Sequence, residues 1–187
     1  MGKSAKGGQF ERDTSKLLSK WWTDDERDDV FWRSSQSGGR ATVRAKKGMK
    51  TANSYGDIAC LDEIGRPLLN YFCLELKRGY SKDTDVLAFI DSKQKTPMIL
   101  QFWQQCERDR ENAESKHSMV IFKRDRKEII CVLNRKCLME IATYCGRPSH
   151  QYLSYRSLNY RLVMMKLVDF LRWANPQAIL DLVNNGC

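Results

Sequence analysis

Residues 68 to 77, Leu-Leu-Asn-Tyr-Phe-Cys-Leu-Glu-Leu-Lys, constrain this chain more than any other segment. Towards their end the side chains alternate with a period of two, as in a strand whose faces meet different surroundings. Phe72, Leu74 and Leu76 point one way, and Cys73, Glu75 and Lys77 the other. The first face demands an apolar core, and the second sets an acid and a base side by side. Asp57 to Leu61 reads as a preceding strand. The connection Asp62-Glu-Ile-Gly-Arg-Pro has turn chemistry, with Gly65 suited to a positive φ. The sequence thus predicts a hairpin of strands 57–61 and 68–77, with Asp57 and Glu75 at the same end of a sheet.

The remaining pattern supplies elements to cover that sheet. Phe10, Leu17, Leu18 and Trp21 fall on one face of a helix from Gln9 to Trp22, and Val30 to Arg33 reads as a short strand. Thr96-Pro97 opens a helix to about Glu114, with Ile99, Trp103 and Cys106 facing inwards. Met119 to Phe122 and Ile129 to Leu133 form a second hairpin around a charged turn. Asn134 caps a helix through Cys145. Leu158 to Trp173 reads as helix, and Asn175-Pro176 opens a last short helix. This order predicts an α/β fold, a mixed central sheet flanked by helices. It divides into a core of residues 1–133 and an all-helical extension of residues 134–187 packed on that core.

The 187 residues suffice to bury a core without disulfides or a structural metal. No apolar run is long enough to span a membrane, and the first residues lack the apolar stretch of a signal peptide, so a cytoplasmic protein is expected. The seven cysteines are odd in number and include no C-x-x-C, which favours reduced, buried thiols over disulfides or zinc. Basic residues exceed acidic ones by nine, which points to a polyanionic partner. Part of that surplus sits in the polar stretch Ser34 to Tyr55. There Arg40, Arg44, Lys46, Lys47 and Lys50 follow one another without an acid, as expected of an arm that contacts phosphates, although a solvated loop has the same composition.

Two carboxylates brought together at Asp57 and Glu75 make an oxygen-donor site for a hard divalent cation such as Mg2+, to which the Leu76 carbonyl can add a ligand. Lys77 beside it can orient or help deprotonate a water, or balance charge on a phosphate. A metal there lowers the pKa of bound water and neutralises charge building on a scissile phosphodiester.

These residues resemble the PD-(D/E)XK nuclease superfamily, and within it the archaeal and phage Holliday junction resolvase-like endonucleases. The resemblance runs from about Gly8 to Leu133. Phe10-Glu11-Arg12 matches the opening helix motif, Arg33 with Ser37-Gly38-Gly39 the Arg and Ser-Gly turn, and Asp57 the acid of the "PD" motif. Glu75-Leu76-Lys77 matches (D/E)XK, Trp103-Gln104-Gln105 a later helical motif, and Lys123 a strand-ending lysine. Gly56 stands where the family has proline. The resemblance implies a restriction-endonuclease-like core, with Glu11, Asp57 and Glu75 around a metal (Mg2+, with Mn2+ as a substitute) and Lys77 as the catalytic lysine. It implies a phage or mobile-element endonuclease acting on branched or otherwise structured DNA as a homodimer, in the host cytoplasm. Arg33, Ser37, Arg40, Arg44, Lys46, Lys47, Lys50, Gln105 and Lys123 are the candidate nucleic-acid contacts. The alternatives are a restriction-type or nicking endonuclease, and a non-catalytic DNA-binding protein on the same fold.

Overall fold

The computed structural model describes residues 3–34, 56–80 and 96–185. Helix α1 (Lys3–Trp22) buries Phe10, Leu18 and Trp22. It packs on the small antiparallel ladder of β1 (Phe31–Arg33) and β2 (Ile58–Cys60), in which Phe31 faces Cys60 and Arg33 faces Ile58. A 3-10 turn (Glu63–Gly65) and helix α2 (Arg66–Tyr71) lead into β3 (Phe72–Arg78). Next come α3 (Met98–Ala113), β4 (His117–Lys123), β5 (Ile129–Asn134) and α4 (Arg135–Cys145). The chain continues through β6 (Tyr152–Arg156), β7 (Arg161–Lys166), α5 (Leu167–Trp173) and α6 (Pro176–Asn184).

The main sheet has the order β3-β4-β5-β7-β6. Only β3 and β4 run parallel, and a parallel pair needs a crossover, which here carries α3. The other pairings are antiparallel. One face of the sheet, with Phe72, Leu74, Met119, Ile121, Leu133 and Val163, joins the core under the remaining helices. The opposite face, with Cys73, Val120, Phe122, Val132 and Met164, packs against Ile99, Phe102, Trp103 and Cys106 of α3. The alternation read in Phe72 to Lys77 is therefore the alternation observed, and both of its faces are covered.

Several local expectations hold. The β4–β5 hairpin forms in the register Met119 opposite Leu133. The Asn134 side chain accepts from the Cys137 N–H at 2.6 Å and that of Asn175 from Gln177 at 2.8 Å, each cap contributing about 1 kcal/mol.

Four expectations are corrected. Strands β2 and β3 do not form a hairpin, because residues 66–71 are helical. Pro67 sits in the first turn, and Leu68 and Tyr71 are both buried at a spacing of three, which a helix satisfies and a strand does not. Gly65 has φ −85, not a positive value; an added Cβ would lie 2.6 Å from the Phe31 ring, so close packing is what demands glycine. Helix α3 starts one residue later than expected, with Pro97 as its cap.

The fourth correction concerns the C-terminal part. Leu158 to Trp173 is not one helix and residues 134–187 are not all-helical, since β6 and β7 extend the main sheet and β7 pairs directly with β5. Leu162, Val163, Met164 and Met165 are all buried, alternately against the two faces. A strand covered on both sides reads as a continuous apolar run, which periodicity cannot tell from buried helix. One sheet therefore crosses the boundary expected at residue 133.

Candidate active site

The site lies along the edge of β3 that faces away from β4. In a strand, alternate backbone groups point to alternate sides, and those of Leu74 and Leu76 face away from β4. The Asp57 N–H donates to the Leu74 carbonyl at 2.8 Å, and the Leu76 N–H donates to Asp57 Oδ2 at 2.8 Å. Asp57 is thus clamped by backbone and side chain to the strand that carries Glu75. Gly56 makes this approach possible. Its φ is +78, and an added Cβ would lie 2.8 Å from the Leu74 carbonyl oxygen. The ladder with β1 holds the other side, where the Ser34 N–H donates to the Asp57 carbonyl at 2.8 Å.

Glu75 is 2% exposed and lies beneath α3. Its Oε1 accepts from Lys77 Nζ and, at 2.8 Å, from Gln105 Nε2. The Lys77 ammonium also lies 5.6 Å from the Phe102 ring centroid. Burial pushes the Glu75 carboxyl up to about 7, with the Asp57 charge adding and Lys77 opposing. Burial likewise raises Asp57 to about 6; the Leu76 N–H and Lys77 oppose it, while Glu11 and Asp109 add to it. For Lys77 burial acts downwards, but the charges of Glu75 and Asp57 outweigh it and its pKa is raised. Asp57 Oδ1 and Glu75 Oε2 have no hydrogen-bond partner among the described residues.

Glu11 projects from α1 and forms an ion pair with Arg33 at 3.1 Å. Among the described residues no three acidic, histidine or cysteine side chains stand close enough together to cage an ion. In this conformation the acidic centre is the Asp57–Glu75 pair, with Glu11 tied to Arg33 beside it. Lys123 ends β4 at the same end of the sheet, but its register with Arg78 puts it on the face opposite Lys77. Ser37, Arg40, Arg44, Lys46, Lys47 and Lys50 lie outside the described residues.

Residues 2–181 match the family model described as "Phage putative PDDEXK endonuclease". The chain belongs to this PD-(D/E)XK family. No curated protein and no solved structure matches it. Nucleases of the PD-(D/E)XK type generally use divalent metal ions. The donor set here fits such an ion: two hard oxygen donors have no partner among the described residues, and burial and the neighbouring carboxylate raise the pKa of Glu75. The family match extends well past Leu133, in keeping with a sheet that includes β7 and β6.

One residue beside the Asp57–Glu75 pair escapes sequence reasoning. Asp109 lies four residues after Gln105 on α3, hence on the same helical face, and its charge acts on Asp57, Glu75 and Lys77. Burial raises its own pKa. The i, i+4 spacing from Gln105 was the available signal.

Proposed function

We propose that this protein is a Mg2+-dependent DNA endonuclease that hydrolyses phosphodiester bonds, selects branched or otherwise structured DNA, and acts as a homodimer in the host cytoplasm. The observation that carries the proposal is the pair Asp57 and Glu75 on one strand edge, with Lys77 bound to the buried carboxylate. A pure DNA-binding protein has no use for two carboxylates held where a phosphate backbone must approach.

Asp57 and Glu75 would hold the ion, which supplies an activated water and charge neutralisation on the phosphate. Mg2+ is often held by one or two carboxylates with waters and substrate oxygens, so two carboxylates suffice. Lys77 and Gln105 both donate to Glu75 Oε1, and its other oxygen accepts from none of the described residues. Lys77, held beside Glu75, would orient a water or a phosphate oxygen. Arg33, neutralised by Glu11 in the free protein, would take a flanking phosphate. The acid-free stretch Arg40, Arg44, Lys46, Lys47 and Lys50 would add contacts to the backbone without reading sequence.

The test is cleavage of labelled four-way junction, flap, single-stranded and linear duplex DNA with Mg2+ and with EDTA. The wild type should cut the branched substrates fastest and only with the metal, and Asp57→Ala and Glu75→Ala should not cut. Cleavage of every substrate at one short sequence would support the restriction-type alternative. Binding without cleavage would leave the non-catalytic one, and mutants as active as the wild type would reject the site.

A further inference from the structure

We propose that Trp32 is a stacking platform for an unpaired base close to the cut, and so the residue by which this site favours branched or single-stranded DNA over plain duplex; this deepens, and rests on, the nuclease reading above. Trp32 is the middle residue of β1 and stands directly opposite Ala59 of β2. It is 38% exposed, joins neither core cluster and makes no aromatic pair among the described residues. The other tryptophans are engaged. The indole N–H groups of Trp21, Trp22 and Trp173 donate to backbone carbonyls, and Trp103 is buried between α3 and the sheet.

Packing does not explain an exposed indole at this position. A ring stabilises a strand pair chiefly through the side chain across from it, and alanine offers only a methyl group. The Leu61 N–H donates to the Val30 carbonyl at 2.9 Å, so the ladder runs on past Cys60. Leu61, 66% exposed, falls on the Ala59 side of β2. Trp32, Ala59 and Leu61 thus form an apolar strip beside Asp57.

Alternation decides which way that strip faces. Phe31 packs in one core with Phe10, Leu18 and Trp22 of α1, and Arg33 pairs with Glu11 of the same helix. Trp32 therefore points away from α1. On β3, Phe72, Leu74 and Leu76 belong to the α1 core, whereas Glu75 and Lys77 point away from it, towards Gln105 and Phe102 of α3. The tryptophan and the acid–lysine pair share the side of the protein turned away from α1.

Asp57 joins the two. The Ser34 N–H donates to its carbonyl at 2.8 Å, and its own N–H donates to the Leu74 carbonyl at 2.8 Å. Trp32 lies two residues before Ser34, which makes it a diagonal neighbour of Asp57 at about 7–8 Å. At a rise of about 3.4 Å per nucleotide that is about two nucleotides of a DNA strand. A phosphate held at Asp57 and Glu75 thus brings a base within reach of the indole. Every base has a π-face, so stacking captures an unpaired base without reading its identity. In a duplex that face is already covered by the neighbouring pairs.

The test is fluorescence anisotropy with the full chain in EDTA on a flap, a single strand of about 12 nucleotides and a blunt duplex. Trp32→Ala should bind the flap and the single strand about 5–150-fold more weakly, the worth of one stacked base, and the duplex within about twofold of wild type. Trp32→Phe and Trp32→Tyr should recover most of the loss. The log–log salt slope should not change, since no charge is removed. Trp32→Ala should melt within about 2 °C of the wild type. Abasic residues scanned along the flap should weaken wild-type binding by a similar factor at about two nucleotides from the cut mapped with Mg2+, and should add nothing to the loss in Trp32→Ala. Unchanged affinity for the flap and single strand overturns the proposal, as does an equal loss on blunt duplex. A wild-type abasic scan with no sensitive position overturns it without recourse to any variant. An alanine variant that melts far below the wild type would make the ring a packing residue and overturn it too. So would the loss of a dimer in light scattering with DNA affinity unchanged, because a second copy would then cover the strip. Wild type that binds none of these DNAs would instead reject the nuclease reading.

Discussion

Gly56 offers the sharpest test of how the site is built. Its φ of +78 costs an L-residue about 1–2 kcal/mol. An alanine Cβ would stand 2.8 Å from the Leu74 carbonyl oxygen and 3.3 Å from Cys73 Sγ. Relief to ordinary contact requires about 0.6 Å of movement. That oxygen is also the acceptor of the Asp57 N–H at 2.8 Å, so the movement weakens a hydrogen bond worth about 1 kcal/mol. Gly56→Ala should therefore cost about 2–4 kcal/mol, or about 5–12 °C of melting temperature for a chain of this size. Because the displaced group carries Asp57, cleavage by the protein that still folds should fall about 100-fold, the usual consequence of misplacing a reacting group by about an ångström. Gly56→Pro should be worse, since proline is confined near φ −65 and cannot restore the family's "PD" dipeptide at this backbone position. Calorimetry gives the melting temperatures and single-turnover cleavage gives the rates. An alanine variant that melts within about 2 °C of wild type and cuts at the wild-type rate would refute this account of the turn.

Further outcomes follow from the same geometry. Gly65→Ala overpacks the core against Phe31 and Val30 without backbone strain; it should cost about 1–3 kcal/mol in urea unfolding and leave the cleavage rate of the folded fraction intact. The Glu75 carboxyl binds its proton more tightly folded, at about 7, than unfolded, at 4.5, so between those values the native state holds more protons and stability falls as pH rises, by roughly 3 kcal/mol in all. Melting curves from pH 4 to pH 8 without metal should show that decline and Mg2+ should offset it near pH 8; a flat profile would contradict the burial of the carboxylate. Gln105→Ala removes one of the donors to Glu75 Oε1, and cleavage should slow about tenfold with a stability loss near 1 kcal/mol; an unchanged rate would make Gln105 incidental. Glu140 accepts from His117 at 2.8 Å, Lys116 at 3.2 Å and the Tyr71 hydroxyl at 3.3 Å, so Glu140→Ala should lose about 1–3 kcal/mol in chemical denaturation with cleavage unchanged.

What the sequence disclosed depended on how local the physics was. The two faces of Phe72 to Lys77 were legible because a strand's period is fixed by its backbone. The Asn134 and Asn175 caps were legible because a cap acts within three residues. Helix α2 was hidden because one and a half turns show too little periodicity to outweigh turn-like neighbours. Strand β7 was hidden because covering on both faces erases alternation. In the site, Asp57, Glu75 and Lys77 were found as residues, but the bonds from Asp57 to Leu74 and Leu76 were not. They depend on a positive φ at Gly56, and a glycine alone does not declare it. Asp109 bears on the site only through the packing of α3 on β3, a long-range event; its spacing from Gln105 gives the shared helical face but not what that face packs against.

The position of β7 between β5 and β6 changes what a shortened form of this chain would be. A stop after Leu133 leaves every residue of the Asp57–Glu75 pair in place on paper. It also strips the partner from β5, whose Ile129-Ile-Cys-Val-Leu would become a bare, flat, apolar edge. Such edges recruit strands from other molecules. The outcome would be an insoluble protein and not a minimal nuclease, so the last third of the chain cannot be exchanged or discarded as an accessory module.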